Sequence, residues 1–154
     1  MICEQAKLED LEEILNLQKL AYKSEAEIYN DYSIQPLTET LEEIRLEYKE
    51  KIFLKTINDE NIIIGSVRAF LKNGICFIGK LIVHPNMQNQ GIGSSLMKEI
   101  EKRFSHANRY ELFTGNKSER NLYLYKKLGY KEYKKEKQND NFSLVYMEKI
   151  NKTT

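Results

Sequence analysis

"CFIGKLIVHPNMQNQGIGSSLMKEIEKRF", residues 76 to 104, changes its hydrophobic period halfway along. The part up to Val83 is a nearly unbroken apolar run, whereas Ile92, Leu96, Met97, Ile100 and Phe104 recur at the spacing of one helix face. A strand, a polar loop and a helix are expected in that order. The loop ends on Gly91 and Gly93, which is costly where a helix begins, because glycine loses more backbone freedom on ordering than any other residue. Close approach of a ligand to bare backbone is one reason to keep them. The first N–H groups of a helix have no intrahelical acceptor and carry about half a positive charge, so the expected guest is an anion. Gln88, Asn89 and Gln90 add amide donors beside those N–H groups.

On either side the order of elements can be read by period. "LEDLEEILNLQKLAY" (residues 8 to 22) reads as one amphipathic helix. A second helix starts at Thr38, with Thr38, Thr40 or both as caps, and "SEAEIYNDYSIQP" between the two reads as polar surface. "KIFLKTI", "NIIIGSVRAFL" and "GICFIGKLIVH" read as an antiparallel meander over residues 51 to 84, with Asn73-Gly74 as a hairpin turn. After the central helix come a strand "RYELFT", a short helix "ERNLYLYKKL" stopped by Gly129, and the strands "YKEY" and "FSLVYMEKI" joined by a charged turn "KKEKQNDN". The helix at 91 to 104 is long enough to cross over, which makes strand 109–114 parallel to strand 75–83. An α/β fold with a mixed sheet of six to seven strands and about four flanking helices is expected.

The bulk properties narrow the class. With 154 residues the chain fits one domain, residues 1 to 154, that needs neither disulfide nor metal to fold. Its 24 basic and 23 acidic residues leave a net charge of +1, which gives no electrostatic case for nucleic acid. Cys3 and Cys76 have neither CxxC nor Cys/His spacing and read as free thiols. "MICEQAKLEDLEEIL" has acidic residues where a secretory leader has basic ones, and no run approaches the ~18 apolar residues of a membrane helix. No membrane association and a cytoplasmic location are expected.

Three anionic guests compete for the glycine loop. A dinucleotide fingerprint needs GxGxxG directly after a strand, but Leu96 holds the third position and seven loop residues separate Val83 from Gly91. A nucleotide P-loop needs a lysine after its last glycine, and none follows Gly93. What remains, Gln-x-x-Gly-x-Gly after a Val-x-Pro strand exit, resembles the acyl-CoA loop of the GNAT superfamily of N-acetyltransferases. "SERNLYLYKKLGY" resembles that family's second signature, and the element order agrees. The motifs cover about 55 residues, from 76 to 130.

The resemblance implies acetyl-CoA as co-substrate, no metal, and direct attack by the amine of a small molecule or peptide. It implies that the backbone of Leu81, Ile82 and Val83 holds the pantetheine and aims an N–H at the thioester oxygen. The loop of Gln88, Asn89, Gln90, Gly91, Ile92, Gly93 and Ser94 would hold the pyrophosphate. Tyr125 takes the place of the group that donates to the departing thiolate, and Asn121, one turn earlier, that of a polar cofactor contact. Where a common family form has asparagine, this chain has Ser118, which reads as a helix N-cap, with Asn116 in the turn before it. No base is assigned, because the central strand has no carboxylate. Lys80, its one charged residue, is expected to reach solvent or an acidic substrate, and His84 reads as a loop residue. Tyr22, Tyr29 and Tyr32 alternate with Glu25, Glu27 and Asp31, a mixture suited to a cationic acceptor. A non-catalytic CoA-binding domain of the same fold is the alternative, and a homodimer is compatible with the resemblance.

Overall fold

The computed structural model describes residues 1–152. A short strand β1 (Ile2–Gln5) precedes helices α1 (Leu11–Ala21), α2 (Lys23–Tyr29), α3 (Gln35–Thr38) and α4 (Leu41–Glu50). The meander follows as β2 (Ile52–Ile57), β3 (Ile63–Lys72) and β4 (Ile75–Val83). Then come α5 (Ile92–Arg103), β5 (Arg109–Gly115), α6 (Glu119–Lys127), β6 (Lys131–Asn139) and β7 (Phe142–Ile150). Seven strands make one mixed sheet in the order β1-β2-β3-β4-β5-β7-β6. The β3–β4 turn carries positive φ at Asn73 (53°) and Gly74 (80°), as a tight hairpin of this kind requires.

Several expectations are corrected. The helix read over residues 8 to 22 begins as a 3-10 turn at Leu8–Asp10 and ends at Ala21. The segment read as polar surface contains α2, whose Ala26 and Tyr29 are buried. Of the two candidate caps, Thr40 is the one used: its hydroxyl accepts from the Glu43 N–H at 3.1 Å, and Glu43 reaches back to the Thr40 N–H at 2.9 Å. The charged "turn" at 134 to 141 is mostly strand β6, paired to β7 from Lys131 to Asn139. An outer strand exposed along its whole length carries no apolar alternation, so only its backbone pairing reveals it.

Each face of the sheet carries its own core. On one face, Ile92, Leu96, Met97 and Ile100 of α5 and Tyr125 of α6 pack on Leu54, Val67, Cys76 and Ile78. On the other, Leu11, Ile14 and Leu17 of α1 and Ile44 of α4 pack on Phe53, Ile63 and Ile82.

Two irregularities shape the middle of the sheet. Strands β4 and β5 run parallel, as the crossover length predicts, but pair only at Ile75–Arg109, Cys76–Tyr110 and Phe77–Glu111. Beyond Phe77 they part, so the remaining length of β4 and the end of β5 face each other across a gap. The second irregularity is a bulge in β4, where the register jumps from Ile82 opposite Ser66 to Gly79 opposite Arg68. It is centred on Lys80, which holds φ at +51°, a left-handed conformation that ordinary residues seldom adopt. An extra residue reverses which face each side chain meets. Cys76 and Ile78 point into the α5–α6 core, and after the bulge Leu81 and Val83 do so in place of Lys80 and Ile82. Lys80 is thereby turned toward the α1–α4 face.

Candidate active site

The glycine loop lies at the N-terminus of α5, beside the parted strands. Gly91 caps that helix at φ +80°, Asn89 holds φ at +64°, and a Cβ built on Gly91 would meet nothing. Its glycine is therefore explained by conformation. At Gly93 a Cβ would come 3.3 Å from Leu124 and 3.8 Å from both Leu81 and Val83, so close packing against α6 and β4 accounts for part of that choice. Among the described residues, the N–H groups of Gln88 through Ser94 donate to no protein acceptor. The first bond of α5 is the Ser95 N–H to the Gly91 carbonyl, at 3.0 Å. Seven consecutive donors at the positive end of a helix form an anion cradle. Ile92 contributes backbone alone, since its side chain is buried in the core. His84 turns its Nδ1 back to the Asn86 N–H at 3.1 Å, a loop role as expected.

Leu81 and Val83 pack their side chains against the α5–α6 core, and Ile82 packs on the opposite face. Past Phe77 the β4 edge toward β5 is free of pairing. A chain with amide groups can pair there as a strand would. Unpaired donors on the cradle and on this edge fit an elongated ligand with an anionic head and an amide-bearing arm.

Tyr125 sits on α6 and is buried, edge-on to Tyr130 at 6.0 Å between ring centroids. Burial, then the neighbouring Tyr22 phenol and the Glu25 charge, raise its pKa above the ordinary phenol value. Such a phenol stays protonated and acts as a hydrogen-bond donor. Tyr22 is pushed up to about 12 by burial and by Glu25, so Tyr22, Glu25 and Tyr125 share one neighbourhood between α1, α2 and α6. Asn121 is half-buried and donates to Thr114 Oγ1 at 3.4 Å, beside the end of β5.

Ser118 occupies the N-cap position of α6, but its hydroxyl makes no capping bond. It donates instead to Glu25, and the Tyr29 hydroxyl lies 2.9 Å away. Tyr29 also accepts from the Lys117 N–H at 2.9 Å, packs edge-on to Phe142, and its carbonyl accepts from the Asn141 side chain at 2.7 Å. The expected structural role of Ser118 therefore becomes a clasp between α2 and α6. Asn116 plays the turn role expected of it, accepting from the Ser143 N–H at 2.9 Å. Of the six residues proposed for a cationic acceptor, Tyr22 and Glu25 face inward near Tyr125 and Tyr29 is taken up by the clasp. Tyr32 and Glu27 are exposed, and Asp31 accepts from Ser33 in a local turn.

Lys80, expected from the sequence to reach solvent or an acidic substrate, is instead largely packed beside a carboxylate of the same chain. Its Nζ lies 3.9 Å from Glu39 Oε1 and the side chain is 18% exposed. Glu39 escaped the sequence reading because it stands alone in the loop between α3 and α4, with no motif around it. In the fold it is buried, accepts from Gln18 Nε2 at 2.9 Å, and pairs with Arg68 Nη1 at 3.3 Å. Arg68, 2% exposed, also meets Glu47 at 3.1 Å and donates to Gln18 Oε1. Although burial alone would raise Glu47, the Arg68 charge and the Lys51 bond hold it at about 2. Among the described residues, Glu39 Oε2 is buried without a hydrogen-bond partner.

The model of the "Acetyltransferase (GNAT) domain" family matches residues 17–151. No curated protein matches the chain. Solved structures share the fold at low identity. A Streptococcus mutans UA159 protein has a TM-score of 0.83 at 15% identity, over 97% of this chain and 99% of that one. The PaiA N-acetyltransferase of Thermoplasma acidophilum, in complex with coenzyme A, has 0.70 at 22%, over 97% and 99%. A phosphinothricin acetyltransferase of Sinorhizobium meliloti, in complex with acetyl-CoA, has 0.78 at 15%, over 97% and 87%.

Proposed function

The chain belongs to the GNAT acetyltransferase family, and from that premise we propose that it moves the acetyl group of acetyl-CoA onto a primary amine of a small molecule or peptide by direct attack. The observation that carries this reading is the pairing of two features: seven unpaired N–H groups from Gln88 to Ser94, and strands β4 and β5 that part immediately beside them. The first suits a pyrophosphate and the second a pantetheine arm. Fold neighbours that hold coenzyme A or acetyl-CoA support the same assignment.

In this reading the thioester supplies an activated acyl carbon. The free β4 edge at Leu81 to Val83 holds the arm and presents an N–H to the carbonyl oxygen, a donor of the kind worth about 100- to 1000-fold in rate. Asn121 lies close enough to the end of β5 to add a polar contact. Tyr125, kept protonated by burial, donates to the departing thiolate. A phenol near ~10 is a weaker acid than a thiol near ~8.5, so it stabilises the thiolate by hydrogen bonding as well as by transfer. Glu25 and the face of Tyr22 provide charge and cation–π attraction for the acceptor.

The test is calorimetry with CoA, acetyl-CoA and ATP, followed by a thiol-release screen over amines, peptides and aminoglycosides. CoA binding with amine-dependent thiol release is expected; tight ATP binding without CoA binding would defeat the reading. CoA binding without release from any acceptor would leave a binding domain. Within the enzyme, Tyr125→Phe is expected to lower kcat while leaving CoA affinity nearly unchanged, and undiminished turnover would remove Tyr125 from the mechanism.

A further inference from the structure

The reaction just described needs a neutral amine, and an alkyl amine with a pKa near ~10.4 is almost wholly protonated at pH 7. No carboxylate lies on β4 to take that proton. We propose that Lys80 takes it: the β4 bulge sets the Lys80 amine on the α1–α4 side of the gap, where it is the proton acceptor for the incoming ammonium group. This rests on the acetyl-transfer reading of the site.

Three structural facts place Lys80 in that role. The first is position. The bulge at Lys80 lies just beyond the last β4–β5 pair, where the gap opens, and it turns this side chain away from the α5–α6 face that carries the anion cradle. With the donor held from that face, an amine reaches the gap from the α1–α4 side, where Lys80 is. The backbone there is strained, since a non-glycine residue at φ +51° costs about 1–2 kcal/mol. Gly79, next door, would have taken such a conformation without that cost. Strain of this kind, fixed by its surroundings, marks a functional segment.

The second fact is charge. Lys80 is faced by Arg68 from β3, Glu39 from the α3–α4 loop, and Glu47 and Lys51 at the end of α4, with the Tyr22 phenol of the α1–α2 junction near Arg68 and Glu39. Lys51 bonds Glu47 at 2.9 Å, and Arg68 pairs with both Glu47 and Glu39. Between them, Arg68 and Lys51 already pair with both carboxylates, so the charge balance of the cluster does not depend on a resting proton at Lys80. Burial first, and then Arg68, lower the Lys80 pKa from the ordinary lysine value, while Glu39 and Glu47 moderate the fall.

The third fact is a place for the proton to be held. Glu39 Oε2 is buried and has no donor, and Lys80 Nζ stands 3.9 Å from Oε1 of the same carboxylate. Once protonated, the Lys80 ammonium moves onto that carboxylate. The acceptor ammonium gives one proton to Lys80, and the freed nitrogen lone pair forms the C–N bond as the C–S bond breaks. The second proton of the nitrogen passes to the thiolate, and Lys80 returns its proton to water before the next turnover.

The experiment has two arms. In the first, lysines of the intact chain are labelled by reductive methylation with carbon-13 and titrated by NMR, the Lys80 resonance being the one missing from Lys80→Arg. A midpoint within about one pH unit of neutrality, well below those of the exposed lysines near ~10.4, is expected. A midpoint among theirs overturns the proposal, with or without turnover. In the second arm, Lys80→Met and Lys80→Arg are assayed at pH 7 with a primary alkyl amine and with an alkoxyamine of equal length, which is neutral at that pH. Both variants are expected to lose about 100-fold or more in kcat/KM for the alkyl amine. Both should stay within a few-fold of the parent for the alkoxyamine. The ascending limb of the parent pH profile should vanish with them. Equal losses on both substrates, or activity kept by the arginine variant, would make Lys80 structural and overturn the proposal. A preference for carboxylated acceptors that Lys80→Met loses and Lys80→Arg keeps would make it an anion contact, with the same consequence. Absence of amine-dependent thiol release in the parent protein, with CoA still bound, would instead defeat the acetyl-transfer reading itself.

Discussion

Arg68 is a buried cation with two carboxylate partners. It is buried against the Phe53 ring, 4.6 Å from its centroid, and holds Glu39 and Glu47 together beneath α1 and α4. Removing one partner of a buried ionic group leaves the others uncompensated, which typically costs about 3–5 kcal/mol. Arg68→Met should therefore destabilise the protein by that order in urea unfolding at pH 7. The pH dependence has a definite sign. Glu47 is held at about 2 against a reference of 4.5, so its contribution is present above the reference and is lost as pH falls toward 2. The difference between parent and variant should narrow over that interval, and a constant difference would mean that Arg68 acts through packing alone.

At the scale of elements, the contact between α2 and α6 depends on a missing side chain. A Cβ on Gly115 would lie 2.0 Å from the Tyr29 hydroxyl oxygen and 3.0 Å from Ser118 Oγ. Gly115→Ala should expel the Tyr29 ring from the clasp and cost about 1–3 kcal/mol, as other overpacked sites do. Gly115→Ala combined with Tyr29→Phe should cost less than the sum of the two single changes, since both break the same contact. Additive thermal unfolding would refute the coupling. This clasp also shows where sequence reading loses its signal. The meander and α5 are legible because their buried faces recur with periods of two and 3.6, and the glycine loop because its spacing excludes other phosphate sites. Helix α2 is not, because "KSEAEIY" buries only Ala26 and Tyr29. The β4 bulge is equally hidden: with Gly79 adjacent, nothing local says that Lys80 takes the left-handed turn, yet that turn decides which face its amine meets. Glu39 becomes conspicuous only once Arg68 and Gln18 are folded around it.

For the whole molecule, the backbone pairing of β1–β4 with β5–β7 is confined to three parallel pairs at one end of the gap, while the α5–α6 core spans both sides and the Tyr29–Ser118–Asn141 contacts lie outside the sheet pairing. A ligand that fills only the cradle leaves the gap unbridged, whereas one whose arm lies between β4 and β5 links its two sides. CoA should therefore slow hydrogen exchange at amides of β4 beyond Phe77 that are not bonded to β3, as well as at the loop from Gln88 to Ser94. ATP, used as a control, shares the polyphosphate but lacks the pantetheine arm, so any protection it gives should stop at the loop. The thermal consequence follows from linkage. At 100 times its Kd a ligand specific for the folded state adds about 2.7 kcal/mol. For a chain of this size each kcal/mol moves Tm by about 2–4 °C, so CoA should raise it by roughly 5–11 °C. If CoA protected the loop but left β4 exchanging as before, the arm would lie elsewhere, and the parting of β4 from β5 would need another explanation.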